Sequence, residues 1–259
     1  MQSGRENYSS DEPAILVNTL TSQEIYYFCC MTKLSSNTLL ADSSTRGLLY
    51  MMIAVLLLSS PILFLPKEQA TFWINGLNTP FLDLFFKYIT HLGDGLVFIP
   101  VFIFLLFRSY VKAGFFAFFV ILEALIVQLV LKKGVFAHLD RPMAYIQDFD
   151  LLHQVTGVHL HGLHTFPSGH TQSVFLVAFF LVWALKKGPA INLLILSIAV
   201  LTGLSRVYIL QHFLIDVWFG ALIGFGLPFI TIYLLQWFGK FPSSEKRLIF
   251  WKEVMNGKC

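Results

Sequence analysis

The sequence predicts an all-α protein: a six-span transmembrane helical bundle with its active site at the non-cytoplasmic face. Three observations carry that expectation. The chain is 56% hydrophobic and only 13% charged, about half the charge fraction of a soluble domain. Its apolar residues gather in long runs broken by short basic or polar turns. The residues able to do chemistry, Lys132 to His170 and Arg206 to Asp216, lie at ends that alternate crossing puts on one side. The small net charge of +3, with no basic stripe interleaved with aromatics, argues against a nucleic-acid partner. Cys29, Cys30 and Cys259 have no metal-type spacing.

Residues 1–46 are polar, irregular and acidic at the start, and read as a disordered tail rather than a signal peptide. Residues 47–239 read as the membrane-embedded domain and 240–259 as a cytoplasmic tail. Gly47 to Leu65 is the first span. Two aromatic-rich amphipathic pieces follow, over 68–76 and 80–92. The second begins with Thr79 as N-cap and Pro80 at the first helical position. Asp83 and Lys87 are spaced to form a supporting pair. Gly95 to Phe107 is apolar but only about 20 Å long as a helix. Its start is therefore expected inside protein, with Asp94 as its cap in preference to the alternative that it faces a wet pocket. Ala113 to Leu131 is the third span and ends in Lys132-Lys133. Within it, Glu123 reads as polar glue between helices. After a long loop come the fourth span, from Ser168 to Leu185, the fifth, from Ala190 to Ile209, and the sixth, from Phe213 to Phe238.

An even number of crossings puts both termini on one side, together with Arg46, Arg108, Lys112, Lys186 and Lys187. The positive-inside rule makes that side cytoplasmic. Lys132, Lys133, Arg141 and Arg206 then lie on the opposite face, against the rule. Binding an anion explains their placement.

The chemistry concentrates in that face. In Ser205 to Asp216, His212 and Asp216 are four residues apart and share a helical face. A carboxylate there fixes the imidazole tautomer and frees the other ring nitrogen as nucleophile or base. Arg206 is shaped to fork onto phosphate. In Phe166-Pro167-Ser168-Gly169-His170, proline starts a helix whose free N–H groups near Ser168 and Gly169 make an anion site beside His170.

The order Lys…Arg-Pro, then Pro-Ser-Gly-His, then Ser-Arg-x5-His-x3-Asp resembles the type 2 phosphatidic-acid phosphatase superfamily. That superfamily shares its site with vanadium haloperoxidases and bacterial acid phosphatases, and the likeness here belongs to its membrane lipid phosphatase branch. The resemblance covers about residues 60–239. It implies that His212 attacks phosphorus to form a phosphohistidine, that Asp216 orients its ring, and that His170 protonates the leaving oxygen and then activates water. Lys133, Arg141 and Arg206, with Ser168 and the Gly169 amide, would bind the phosphate. No cofactor or metal is implied. One departure concerns the lysine, because the usual six-residue spacing to arginine falls on Gly134. Adjacent helical residues point about 100° apart, so only one lysine should face the site. Lys133 is preferred, with Lys132 as the alternative.

The implied substrate is a membrane lipid phosphate or pyrophosphate met in the bilayer, with no obligatory protein partner. In a bacterial cell the active site would face the periplasm from the inner membrane. The aromatic pieces at 68–92 and Phe149-Leu151-Leu152 are placed to flank the acyl chains. Rival readings are a lipid-to-lipid phosphotransferase, a small transporter, and a metal-dependent hydrolase built on His138, His153, His159, His161 and His164.

Overall fold

A computed structural model describes residues 39–239. The tails expected over 1–38 and 240–259 lie outside the described residues. Among the described residues the chain is helical, with no strand and one isolated bridge between Asp140 and Leu163.

Helix α1 (Ser43–Ser59) starts before the expected Gly47 because Asp42 caps it, accepting from the Thr45 amide at 2.9 Å. The chain ahead of it is packed as well: Leu39 is buried and its amide donates to Gln236 Oε1 at 2.8 Å. A 3₁₀ turn, Ser60–Phe64, extends α1. Helices α2 (Lys67–Asn75) and α3 (Pro80–Ile89) follow, and Thr79 caps α3 as expected. Phe81, Leu84 and Tyr88 leave α3 outward into the surroundings. The expected Asp83–Lys87 pair is not made. Asp83 instead accepts from Tyr208 Oη at 2.6 Å and His153 Nε2 at 2.8 Å, and Lys87 donates to the Thr156 carbonyl. Partners fixed by the long loop and by the end of the helix Pro189–Tyr208 outcompete a neighbour held only by helical spacing.

Two short 3₁₀ turns, Thr90–Gly93 and Gly95–Val97, lead into α4 (Phe98–Arg108). The chain bends by 56° between them. Helix α5 (Tyr110–Glu123) runs on as a π-helix over Ala124–Val135. The long loop contains a single-turn helix α6 (Pro142–Tyr145). Helices α7 (Gly169–Leu185), α8 (Pro189–Tyr208) and α9 (Leu214–Trp237) complete the bundle.

Among the described residues, four stretches are long and apolar enough to cross a membrane: Ser43–Phe64, Tyr110–Val135, Pro189–Tyr208 and Leu214–Trp237. The bent pair Pro80–Gly93 and Gly95–Arg108 makes a fifth if counted as one span. Helix α7 has 17 residues, about 25 Å of helix. It is apolar all round because it is the central helix: Leu176, Phe179 and Phe180 are fully buried in the main core.

Small residues let the backbones around α7 approach closely. A Cβ on Gly220 would lie 2.6 Å from the Ser168 carbonyl oxygen, and one on Gly224 would lie 2.2 Å from that of Gln172. Helix α9 is thereby held against the first turn of α7. At the other end of α7, Lys112 Nζ donates to the Trp183 carbonyl at 3.0 Å and Arg108 to that of Ala184 at 3.3 Å. These two basic residues satisfy carbonyls that the helix terminus leaves open.

Candidate active site

Four helix ends meet at one end of the bundle: the π-helical end of α5, the start of α7, the end of α8 and the start of α9. Between them lies a cavity of about 380 Å³ lined by Lys132, Arg141, Gly169, His170, Arg206 and His212. Five of the eight residues singled out from sequence therefore line one space.

His212 is placed by a tight reversal. Helix α8 ends at Tyr208, Leu210 takes a left-handed φ of 59°, and the amides of Gln211 and His212 both donate to the Arg206 carbonyl. The ring is 1% exposed. Its Nδ1 lies 3.5 Å from Asp216 Oδ2 and 3.4 Å from Thr165 Oγ1, which leaves Nε2 for the cavity. Asp216 does not line the cavity but stands behind the histidine. Its Oδ2 also accepts from Thr165 Oγ1 at 2.5 Å and from the Phe213 amide at 2.9 Å, so the carboxylate is clamped from three sides. Lys67 sits near this arrangement, over the rings of Tyr145 and Phe213. Burial, with the positive charges of Arg141, Arg206 and Lys132, holds the His212 imidazole well below its ordinary range. The ring is neutral, with a lone pair to offer.

The cations are positioned separately. Arg141 donates from Nε to the Leu163 carbonyl and from Nη1 to Gln211 Oε1 at 2.8 Å. Arg206 is 7% exposed and donates from Nη1 to Thr90 Oγ1 at 2.9 Å, while its Nε has no partner.

The lysine preference changes. Lys132 is 7% exposed and lines the cavity, whereas Lys133 points outward and is exposed. The preference for Lys133 rests on its spacing to Arg141, but the π-helix over Ala124–Val135, wider than an α-helix, presents Lys132 to the cavity. His164 Nδ1 holds the Lys132 carbonyl at 3.0 Å. Ser168 departs from expectation too. Its side chain is fully buried and caps α7, accepting from Thr171 Oγ1 at 2.9 Å. Gly169 alone of that pair faces the cavity, and a Cβ there would lie 3.7 Å from Lys132 Nζ.

Asp94 is not the helix cap expected from sequence. Its Oδ1 lies 2.7 Å from His170 Nε2 and its Oδ2 lies 2.7 Å from His91 Nδ1. Gly93 makes the approach possible, since a Cβ there would fall 2.6 Å from the His170 carbonyl oxygen. Sequence reasoning held Asp94 in a wet pocket only as its second choice and missed Thr165 at the nucleophile's carboxylate. An acid set between two glycines ahead of an apolar helix was a signal for the first; nothing in the spacing marked the second.

The loop histidines are spent separately. His153 binds Asp83, His164 binds the Lys132 carbonyl, and His161 reaches the cavity rim with its ring 4.8 Å from that of His159. Burial and the charge of Arg141 push His161 below its ordinary range. Among the described residues, no three His, Cys, Asp or Glu side chains converge as a metal-binding group. Of the loop hydrophobics expected to meet acyl chains, Phe149 is buried against Ile146, Leu210 and Phe213, while Leu151 is exposed.

Residues 112–240 match the family model described as the PAP2 superfamily. The fold is similar to the crystal structure of Aquifex aeolicus LpxE, with 29% identity and a TM-score of 0.54, covering 64% of this chain and 93% of that one. It is also similar to that of the first transmembrane PAP2-type phosphatidylglycerolphosphate phosphatase from Bacillus subtilis, with 23% identity and a TM-score of 0.40, over 71% and 92% of the two chains. A search of curated proteins returned no match.

Proposed function

The chain belongs to the PAP2 superfamily, and from that premise we propose that it is an integral-membrane phosphatase acting on a lipid phosphate monoester or pyrophosphate through a phosphohistidine. One observation carries the reading: a buried neutral histidine, His212, and a second histidine, His170, share a cavity with Lys132, Arg141 and Arg206. Three cations around one space suit a dianionic phosphate, and Nε2 of His212 is the ring atom left free to attack.

In the first step, Nε2 of His212 forms a bond to phosphorus and the bond from phosphorus to the lipid oxygen breaks. His170 delivers a proton to that oxygen, which leaves as the lipid alcohol. Asp216 and Thr165 hold Nδ1 of His212 and stabilise the charge that the ring acquires. In the second step, His170 takes a proton from water as its oxygen attacks phosphorus. The N–P bond breaks, free phosphate leaves, and His212 is neutral again. Lys132, Arg141, Arg206 and the Gly169 amide bind the equatorial oxygens as charge shifts onto them. Asp94 holds Nε2 of His170 and so keeps that ring oriented.

The proposed topology has six crossings, with the bent pair and α7 each counted as one. The site lies at the non-cytoplasmic end, facing the periplasm if the cell is bacterial, and both termini are cytoplasmic. The cluster of Arg108, Lys112, Lys186 and Lys187 at the opposite end of the bundle supports that orientation.

The test is phosphate release by purified protein from a panel of lipid phosphates in mixed micelles, with His212→Ala as control. Acid-labile, base-stable labelling of the wild type by radioactive substrate, absent in His212→Ala, is the expected result. Faster hydrolysis of a short water-soluble ester than of every lipid would overturn the lipid assignment. Phosphate transfer to an added lipid alcohol in preference to water would make the protein a phosphotransferase instead.

A further inference from the structure

The catalytic cavity does not end at the phosphate-binding cations. Beyond His170 it continues inward along α5 and α7, past Phe98, Val120 and Ala124, to a polar floor of Glu123, Gln128, Gln172 and Ser173. Ser173 lies one helical turn, about 6 Å, below Gly169, on the way toward the membrane interior. Glu123 is 2% exposed; its Oε2 accepts from Gln172 Nε2 at 2.7 Å, and its Oε1 has no partner. Gln128 stands at the junction, since a Cβ on Gly169 would lie 3.2 Å from its Nε2. Tying two helices together needs only the Glu123–Gln172 bond. Gln128, Ser173 and the free carboxyl oxygen are left over.

In-line displacement fixes what enters this extension. With His212 attacking from one side, the leaving oxygen departs on the side of His170, and the rest of the leaving alcohol extends past that residue. A bare hydrocarbon there would leave a buried carboxyl oxygen and two side-chain amides facing apolar atoms. A hydroxyl both donates and accepts, and so serves a carboxyl and an amide together.

We propose that Glu123, Gln128, Gln172 and Ser173 form a subsite for a hydroxyl carried by the leaving alcohol close to the scissile oxygen. This rests on the phosphatase reading above and narrows it. The substrate is a lipid phosphate whose leaving group is a polyol or sugar, rather than phosphatidic acid or a prenyl phosphate, whose leaving alcohols carry no second hydroxyl.

The experiment compares two synthetic esters with identical acyl chains, using the full-length protein in mixed micelles. One is phosphatidylglycerol phosphate; the other is its analogue with hydrogen in place of the headgroup's secondary hydroxyl. The wild type should favour the hydroxylated ester by about tenfold or more in kcat/KM. Glu123→Leu should bring the ratio to within about twofold of unity, and Glu123→Gln, which keeps a partner for Gln172, should retain most of it. Gln128→Leu leaves the Glu123–Gln172 bond in place and should also lower the ratio, so the result does not depend on the folding of the Glu123 variants. A wild-type ratio near unity, or one unmoved by both Glu123→Leu and Gln128→Leu, would overturn the subsite. Turnover of phosphatidic acid or a prenyl phosphate without turnover of either ester would overturn the subsite and leave the phosphatase reading standing, whereas failure on every lipid phosphate of the panel would remove the phosphatase reading itself.

Discussion

Asp94 Oδ1 and His170 Nε2 stand 2.7 Å apart although 76 residues separate them in sequence (170 − 94). The contact joins the bend ahead of α4 to the first turn of α7, and it supplies the proposed acid with an orienting carboxylate. Removing that carboxylate should lower kcat far more than it raises KM. Asp94→Asn is expected to reduce kcat by about tenfold to a hundredfold, within the range of general acid–base catalysis. The loss should be smaller with a nitrophenyl ester, whose leaving oxygen needs no proton. Equal losses on both esters would mean that Asp94 acts on the fold and not on His170.

Lys132 and Lys133 make a matched pair for testing the phosphate cluster. Lys132→Ala should lower kcat/KM at least tenfold, about 1.4 kcal/mol of transition-state stabilisation. Lys133→Ala should stay within about twofold. A reversed pair of results would place the exposed lysine in the working site and refute the π-helical register as the one that binds substrate.

Thr165 donates to the carboxylate that backs the nucleophile. Thr165→Val keeps the shape and removes the donor, freeing Asp216 to turn away from His212. Single-turnover labelling should show slower formation of phosphohistidine, by about threefold to thirtyfold, a loss of about 0.7 to 2 kcal/mol. Unaltered labelling would leave Thr165 as packing alone.

The His212 imidazole is held neutral well below its ordinary range by burial and by the neighbouring cations. In the unfolded chain the ring takes up a proton near its ordinary value of about 6.5. Below that pH the unfolded state binds more protons than the folded state at this position, so stability falls on acidification. His212→Asn should lose less stability than the wild type between about pH 7 and pH 5, read as Tm in detergent. Parallel Tm curves for the two proteins would contradict the buried neutral ring.

Gly224 faces the Gln172 carbonyl with room for hydrogen and nothing larger. Gly224→Leu should force α9 away from α7, at a cost of about 1–3 kcal/mol or more. Activity should fall together with Tm, because His212 and Asp216 at the head of α9 move with it. A stable, fully active Gly224→Leu protein would show that helix contact to be dispensable.

Composition and pattern determined the class of the molecule. Long apolar runs can be satisfied only in lipid or in a wholly apolar core, so the helical membrane bundle followed from hydropathy alone. The motif residues His170, Arg141, Arg206, His212 and Asp216 were legible because each sits at a helix end, where local spacing already fixes direction. Tertiary structure decided the remainder. Which lysine turns inward depended on a π-helical stretch that no residue count announces. Ser168 was taken by its own helix as a cap, since a buried N-terminus must satisfy its amides first. Asp94, Thr165 and the floor at Glu123 gain their roles only when segments far apart in the chain are packed together. Such contacts follow from how closely the backbones can approach, at Gly93, Gly220 and Gly224, and pairwise approach of that kind leaves no periodic trace in a sequence.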